Sequence, residues 1–140
     1  RFAKCCNPVP GDHIVGFVTK NGVSIHTTDC SNLRNVDKNK LVRVSWGNSN
    51  ELFGANIGLE GDDRDRLLSD IMNRIHEKHV QIASVVSWVD DLRIAHISVR
   101  VNVTNLDQLN DLISHLKKEK GIKKVYRERG NNFESGSPKS

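Results

Sequence analysis

The chain has 140 residues, 36% of them hydrophobic and 27% charged, with a formal net charge of +4. That length holds one ordinary domain or two small ones, and the balance is that of a globular chain rather than a disordered one. No apolar run approaches the roughly 18 residues a membrane helix needs, and three cysteines, an odd number, do not make a fully paired disulfide framework.

The opening Arg1-Phe2-Ala3-Lys4 shows neither an initiator Met nor a signal peptide, so the chain is expected to be a piece of a longer protein. Residues 1–50 carry seven Lys and Arg against three Asp, whereas residues 51–140 carry fourteen of each sign. The whole excess belongs to the first segment. A compact basic unit attracts polyanions, nucleic acid above all, although charge alone reads more simply as a solvated surface.

In chain order, Pro8, Pro10 and Gly11 mark a rigid turn. Ile14 to Val18 and Val23 to His26 are short β-branched runs separated by Lys20-Asn21-Gly22, and Asn-Gly between apolar runs predicts a hairpin. Leu41 to Trp46 is a third predicted strand. A unit of this size, residues 1–46, has few large apolar side chains and is expected to need a metal clip. Residues 47–50 are polar and turn-prone and read as a linker.

The second unit, residues 51–129, begins with a strand in which Phe53, Ala55, Ile57 and Leu59 face inward. Leu67, Leu68, Ile71, Met72 and Ile75 share one helical face, with Asp62, Asp63 and Asp65 near its positive end. Ile82 to Val89 is a strand of irregular pattern. Ala95 to Val103 alternates cleanly. Thr104 to Asp107 has capping-box spacing and opens a helix with Leu106, Leu109, Leu112, Ile113 and Leu116 inward. Gly121 is expected to stop it, and Ile122 to Arg127 forms the last strand. The order β-α-β-β-α-β predicts an α+β, ferredoxin-like unit with both helices on one face of an antiparallel sheet. Residues 130–140 are Gly/Ser-rich and polar, and are expected to be a disordered tail.

The chemistry concentrates in the first unit. Cys5, Cys6 and Cys30 are all the cysteines, and His26 lies four residues before the last of them. Three thiols and an imidazole suit a closed tetrahedral structural zinc site, because soft thiolate matches a borderline-soft metal. Adjacent ligands require a bent backbone, which the run Asn7-Pro8-Val9-Pro10-Gly11 is suited to hold. Cytosolic, reduced thiols fit this reading better than secreted ones. Three other readings stand beside it: a buried small apolar cysteine, a strained vicinal redox pair, and a Cys6 nucleophile with His26 as base. No oxyanion hole or third orienting group is readable for the last.

The residues on the outward face of the second unit are expected to be Gly54, Asn56, Gly58 and Glu60 on its first strand. On its third they are His96, Ser98, Arg100 and Asn102. These contain no Phe or Tyr platform for stacking bases. Lys117, Lys118, Lys120, Lys123, Lys124, Arg127 and Arg129 form a basic cluster at the end of the second helix and the last strand, which reads most simply as a solvated helix end.

The segment Cys5-Cys6-x-Pro8-x-Pro10-Gly11-Asp12-x-Ile14-x-Gly16-Phe17, followed by Gly22-Val23-Ser24-Ile25-His26-x-x-Asp29-Cys30-x-Asn32-Leu33, closely resembles the conserved-cysteine or zinc-finger module of long RelA/SpoT homologues. Those enzymes, GTP pyrophosphokinases, make and hydrolyse (p)ppGpp in the bacterial stringent response. The second unit resembles the ACT domain, also called RRM, of the same proteins. The resemblance implies a cytoplasmic regulatory region that has no catalysis of its own. It implies docking to the ribosome near the A site, its rRNA and A-site tRNA, and relay of amino-acid starvation to catalytic domains upstream in the same chain. Self-association as a homodimer is a further implication. Zinc is the implied metal, with Cys5, Cys6, His26 and Cys30 as ligands, and Lys4, Lys20 and Arg34 are the basic residues expected to meet rRNA. ACT domains often bind an amino acid in the turn after the first strand. The corresponding residues are Gly61, Asp62, Asp63, Arg64, Asp65 and Arg66, with Arg66 where the family pattern has a second Gly. A long charged side chain there disfavours a small ligand. The competing class is an amino-acid-sensing or dimerising ACT module without RNA contact.

Overall fold

A computed structural model describes residues 2–47 and 51–128. Residues 48–50 of the expected 47–50 linker and the tail at 130–140 lie outside the described residues, as does Arg129 of the basic cluster.

The first unit is a three-stranded antiparallel sheet in the order β2-β1-β3, formed by β1 (Ile14–Thr19), β2 (Gly22–Thr27) and β3 (Leu41–Val42). The hairpin turns through Lys20 and Asn21, because Thr19 pairs with Gly22. Gly22 takes a positive φ (+119°) at the turn. The predicted third strand is shorter than expected. Only Leu41 and Val42 pair, opposite Phe17 and Gly16, because Trp46 leaves the sheet to join the second unit. Single 3-10 turns at Ser31–Leu33 and Lys38–Lys40 fill the connection.

The second unit is the predicted β-α-β-β-α-β: β4 (Phe53–Asp62), α1 (Leu67–Glu77), β5 (Gln81–Val89), β6 (Ile94–Val103), α2 (Leu106–Leu116) and β7 (Ile122–Glu128). Its sheet is antiparallel throughout in the order β5-β6-β4-β7. Both helices bury Leu67, Ile71, Ile75, Leu109, Leu112 and Leu116 against Ala55, Ile57, Leu59, Val99 and Val101. The helix cap falls one residue later than the sequence spacing suggested: Asn105 Oδ1 accepts from Gln108 N at 2.9 Å, and Thr104 bonds Gln108 Oε1 instead. The irregular pattern of β5 comes from a bulge between Ile82 and Ser84, which shifts the two-residue alternation by one.

The two units share one core. Val9, from the proline-flanked strap of the first unit, is fully buried among the core residues of the second. Trp46 packs against the same core, stacks on Phe2 (ring centroids 5.4 Å apart) and meets Phe53 edge-on at 5.5 Å, while its Nε1 donates to Asp12 O at 3.0 Å. Leu106 N donates to Pro10 O at 2.7 Å. Gly11, at φ +111°, lies so close to α2 that an added Cβ would stand 2.8 Å from Leu106 Cβ, so only glycine lets the strap approach the helix. Among the described residues no helix is long and apolar enough to cross a membrane.

Candidate metal centre

Three pieces of backbone bring the four sequence-predicted ligands together. Ala3 N donates to Ile25 O at 2.9 Å, which lays the N-terminal segment along β2. Asn7 N donates to Ala3 O at 3.0 Å, closing a turn over Cys5 and Cys6. Cys30 N donates to Thr27 O at 3.1 Å, so the chain leaving β2 folds back beside His26.

The ligand atoms of Cys5, Cys6, His26 and Cys30 all lie within 4.8 Å of one another. Cys5 Sγ stands 3.4 Å from His26 Nδ1, 3.5 Å from Cys30 Sγ and 3.9 Å from Cys6 Sγ, and Cys6 Sγ stands 3.8 Å from His26 Nδ1. A tetrahedral zinc with ordinary Zn–S and Zn–N bonds has S···S edges of roughly 3.8 Å and S···N edges of roughly 3.6 Å. Four of the six ligand–ligand edges therefore lie near those of a coordination tetrahedron, and the other two stay within 4.8 Å. The sulfurs are far outside disulfide distance, and all three cysteines are free thiols.

The electrostatics fit the same group. Burial pushes the Cys6 thiol up, and the Cys30 thiol is pushed up to about 12 by burial. Burial also lowers His26, which keeps its imidazole neutral and able to coordinate. A cation beside them would favour the thiolate forms that burial disfavours. Thr27 N donates to Cys6 Sγ at 3.3 Å, and the Thr27 hydroxyl is buried without an oxygen or nitrogen partner in the same pocket. N–H donors aimed at sulfur are what a metal-bound thiolate accepts. The donor set, its spacing and this outer donor fit a structural zinc, with no carboxylate and no open position for water.

Other predicted residues are placed as follows. Lys4, Lys20 and Arg34 are exposed at the turn before Cys5, at the hairpin tip and after the first 3-10 turn. Gly61 and Asp62 end β4, and Asp63 to Arg66 form the loop into α1. The Asp62 and Asp63 amides are spent on Gly121 O and Arg93 O. Arg64 pins the loop to the chain just past α2 through Lys120 O (2.9 Å) and Glu119 (2.7 Å), and to the first turn of α1 through Asp70 (3.0 Å). Arg66 adopts φ +66°, the left-handed conformation that glycine takes most readily. Beside it, a groove of about 680 Å³ runs between α1 and β5, past Leu68, Met72, His76 and Val89.

One sequence reading needs extending and one correcting. Beside the two strands considered, the outward sheet face carries aromatics on β5 and β7. Trp88 pairs with His96 and stacks on it (centroids 4.0 Å, 6°), and Tyr126 covers Gly58 from β7. The β5 bulge hid the side on which Trp88 lies. The basic cluster also loses Arg127, which turns inward to a partly buried ion pair with Asp12, Nη1 to Oδ1 at 2.9 Å. Asp12, Val9, Trp46 and Arg127 join the two units, a role the sequence reading did not assign them. The only sequence signal was an apolar Val9 between two prolines.

The fold and the match to an ACT-domain family model over residues 49–127 show that the chain belongs to the ACT domain family. A second family model, the RelA/SpoT RIS domain, matches residues 1–47, the stretch that holds the thiol cluster. The chain is 35% identical over 131 residues to the bifunctional (p)ppGpp synthase/hydrolase RelA of Mycobacterium tuberculosis, covering 91% of this chain and 18% of that protein. It is 36% identical over 132 residues to a GTP pyrophosphokinase of Myxococcus xanthus, covering 91% and 17%. The chain thus spans less than a fifth of these relatives. The ACT domain from a GTP pyrophosphokinase of Chlorobium tepidum is 28% identical, with a TM-score of 0.49, covering 54% of this chain and 97% of that one.

Proposed function

We propose that this chain is a regulatory part of a (p)ppGpp synthetase/hydrolase: a zinc-clipped basic finger fused to an ACT domain, which docks on ribosomal RNA in the cytoplasm and relays starvation to catalytic domains elsewhere in the protein. The observation that carries the reading is the convergence of Cys5, Cys6, His26 and Cys30 inside a unit that matches the RelA/SpoT RIS domain. Zinc, when bound, supplies no chemistry beyond cross-linking. It fixes a small unit whose own core is too small to hold it. Burial of the ligand cluster and the absence of a carboxylate among its ligands support a structural rather than a catalytic ion. The exposed Lys4, Lys20 and Arg34, without salt-bridge partners among the described residues, supply phosphate-binding charge.

The test is cosedimentation of the chain with ribosomes across a salt series. Phosphate-driven docking weakens steeply with salt, and K4Q/K20Q/R34Q weakens it further. Salt-independent association, or an unchanged triple variant, refutes the docking reading. The groove beside Arg66 and Met72 favours a second reading, amino-acid sensing by the ACT domain. Titration calorimetry with valine, leucine and isoleucine decides it, and clear heat at millimolar or lower concentration would reverse the order of the two.

A further inference from the structure

Adjacent metal ligands demand a bent backbone, and the bend has a visible cause. Asn7, the residue after the Cys5-Cys6 pair, holds φ +46°, a region that a side chain disfavours. Its carbonyl accepts a hydrogen bond at 2.8 Å from Arg127 Nη2. Arg127 belongs to β7 of the ACT unit. The same guanidinium grips Asp12 through Nη1–Oδ1 and Nη2–Oδ2, both 2.9 Å, and Asp12 Oδ2 also accepts from Val9 N at 2.9 Å. One planar fork therefore ties both ends of the strap from Asn7 to Asp12. Pro8 and Pro10 stiffen that strap and Val9 anchors it in the ACT core. The sulfurs sit at one end of a short rigid lever and the ACT sheet at the other.

We propose that Arg127 is a positioning residue for the thiolate site: by fixing the Asn7 carbonyl it sets the bend that aims Cys5 and Cys6 at one ion, so that metal binding and docking of the finger onto the ACT domain form a single coupled equilibrium. The proposal rests on the metal reading above. Coupling of this kind is reciprocal: whatever factor docking adds to metal affinity, metal adds to docking. Lysine keeps the charge at this position but cannot reproduce a fork bonded to a carboxylate and a carbonyl together. R127K therefore separates geometry from charge.

The experiment uses the zinc-loaded 140-residue chain with a chromophoric chelator as competitor. R127K is expected to bind zinc about ten- to a hundredfold more weakly than the parent, with the far-UV circular dichroism of the ACT sheet retained. K78Q, at a surface pair with Asp111, leaves affinity unchanged. D12N, which keeps an acceptor for Val9 but drops the charge, gives a second reading in the same direction should R127K fold poorly. In a W88F background Trp46 is the single tryptophan. Stripping zinc with chelator then shifts its emission to the red and raises its quenching by acrylamide, because the finger undocks. Zinc affinity of R127K and D12N within twofold of the parent, or Trp46 emission indifferent to zinc, overturns the positioning role while leaving the metal site standing. A parent chain that takes up no zinc through its cysteines overturns both.

Discussion

Replacing Val9 with Ala tests whether the finger and the ACT domain share one core. Val9 belongs to the strap of the first unit yet is fully buried among the second unit's apolar residues. The substitution removes two methyl groups. At about 0.8 kcal/mol per buried methylene the transfer loss is about 1.6 kcal/mol. The proline-flanked strap cannot collapse into the gap, so a cavity of roughly 40 Å³ at about 24 cal/mol per Å³ adds about 1 kcal/mol. The expected destabilisation is about 2.5 kcal/mol, or roughly 8–12 °C in Tm for a chain of this size. Urea and thermal unfolding followed by far-UV circular dichroism report the ACT sheet and helices, which dominate that signal. Val23→Ala, at a half-exposed hairpin position, should change stability by no more than about 0.5 kcal/mol. An ACT transition moved by less than about 0.5 kcal/mol in the Val9 variant refutes the shared core, because independent units would leave it untouched.

Arg66→Gly should stabilise the fold by roughly 0.5–1 kcal/mol, since it relieves a left-handed side-chain-bearing residue at the start of α1; a loss of stability in chemical denaturation would contradict this. The Asp90 carboxyl is held below its ordinary 3.8, first by the His96 side chain at 2.9 Å and then by backbone N–H groups. A depressed folded pKa means that its contribution is present above the unfolded value and fades as pH falls through the folded one. Asp90→Asn should therefore flatten the stability profile below about pH 4, and an unchanged acid limb speaks against the pair.

The ACT half was legible because its chemistry is periodic. Ala95 to Val103 alternate cleanly, and Leu109, Leu112 and Leu116 fall on one helical face, so local pattern and tertiary burial agree. That Cys5, Cys6, His26 and Cys30 come together was legible because so few residue types suit a soft metal. What stayed hidden was long-range. Asp12 and Arg127 are 115 positions apart, and nothing local distinguishes an inward arginine from its solvated lysine neighbours. Trp46 read as a strand residue because β-branched neighbours precede it, but burial against Phe2 and Phe53 outweighed pairing with β1. Trp88 was lost to the bulge at Ile82 and Ser84, since one extra residue inverts the parity from which faces are read.

X-ray absorption at the zinc edge of the chain, purified without chelator, addresses the four-ligand cluster most directly. One tightly held zinc per chain is expected, with three sulfurs at about 2.3 Å and one nitrogen at about 2.0 Å, and a shell that loses one sulfur in Cys30→Ala. Protein that is folded and reduced yet carries only trace metal, or a first shell dominated by oxygen, contradicts it.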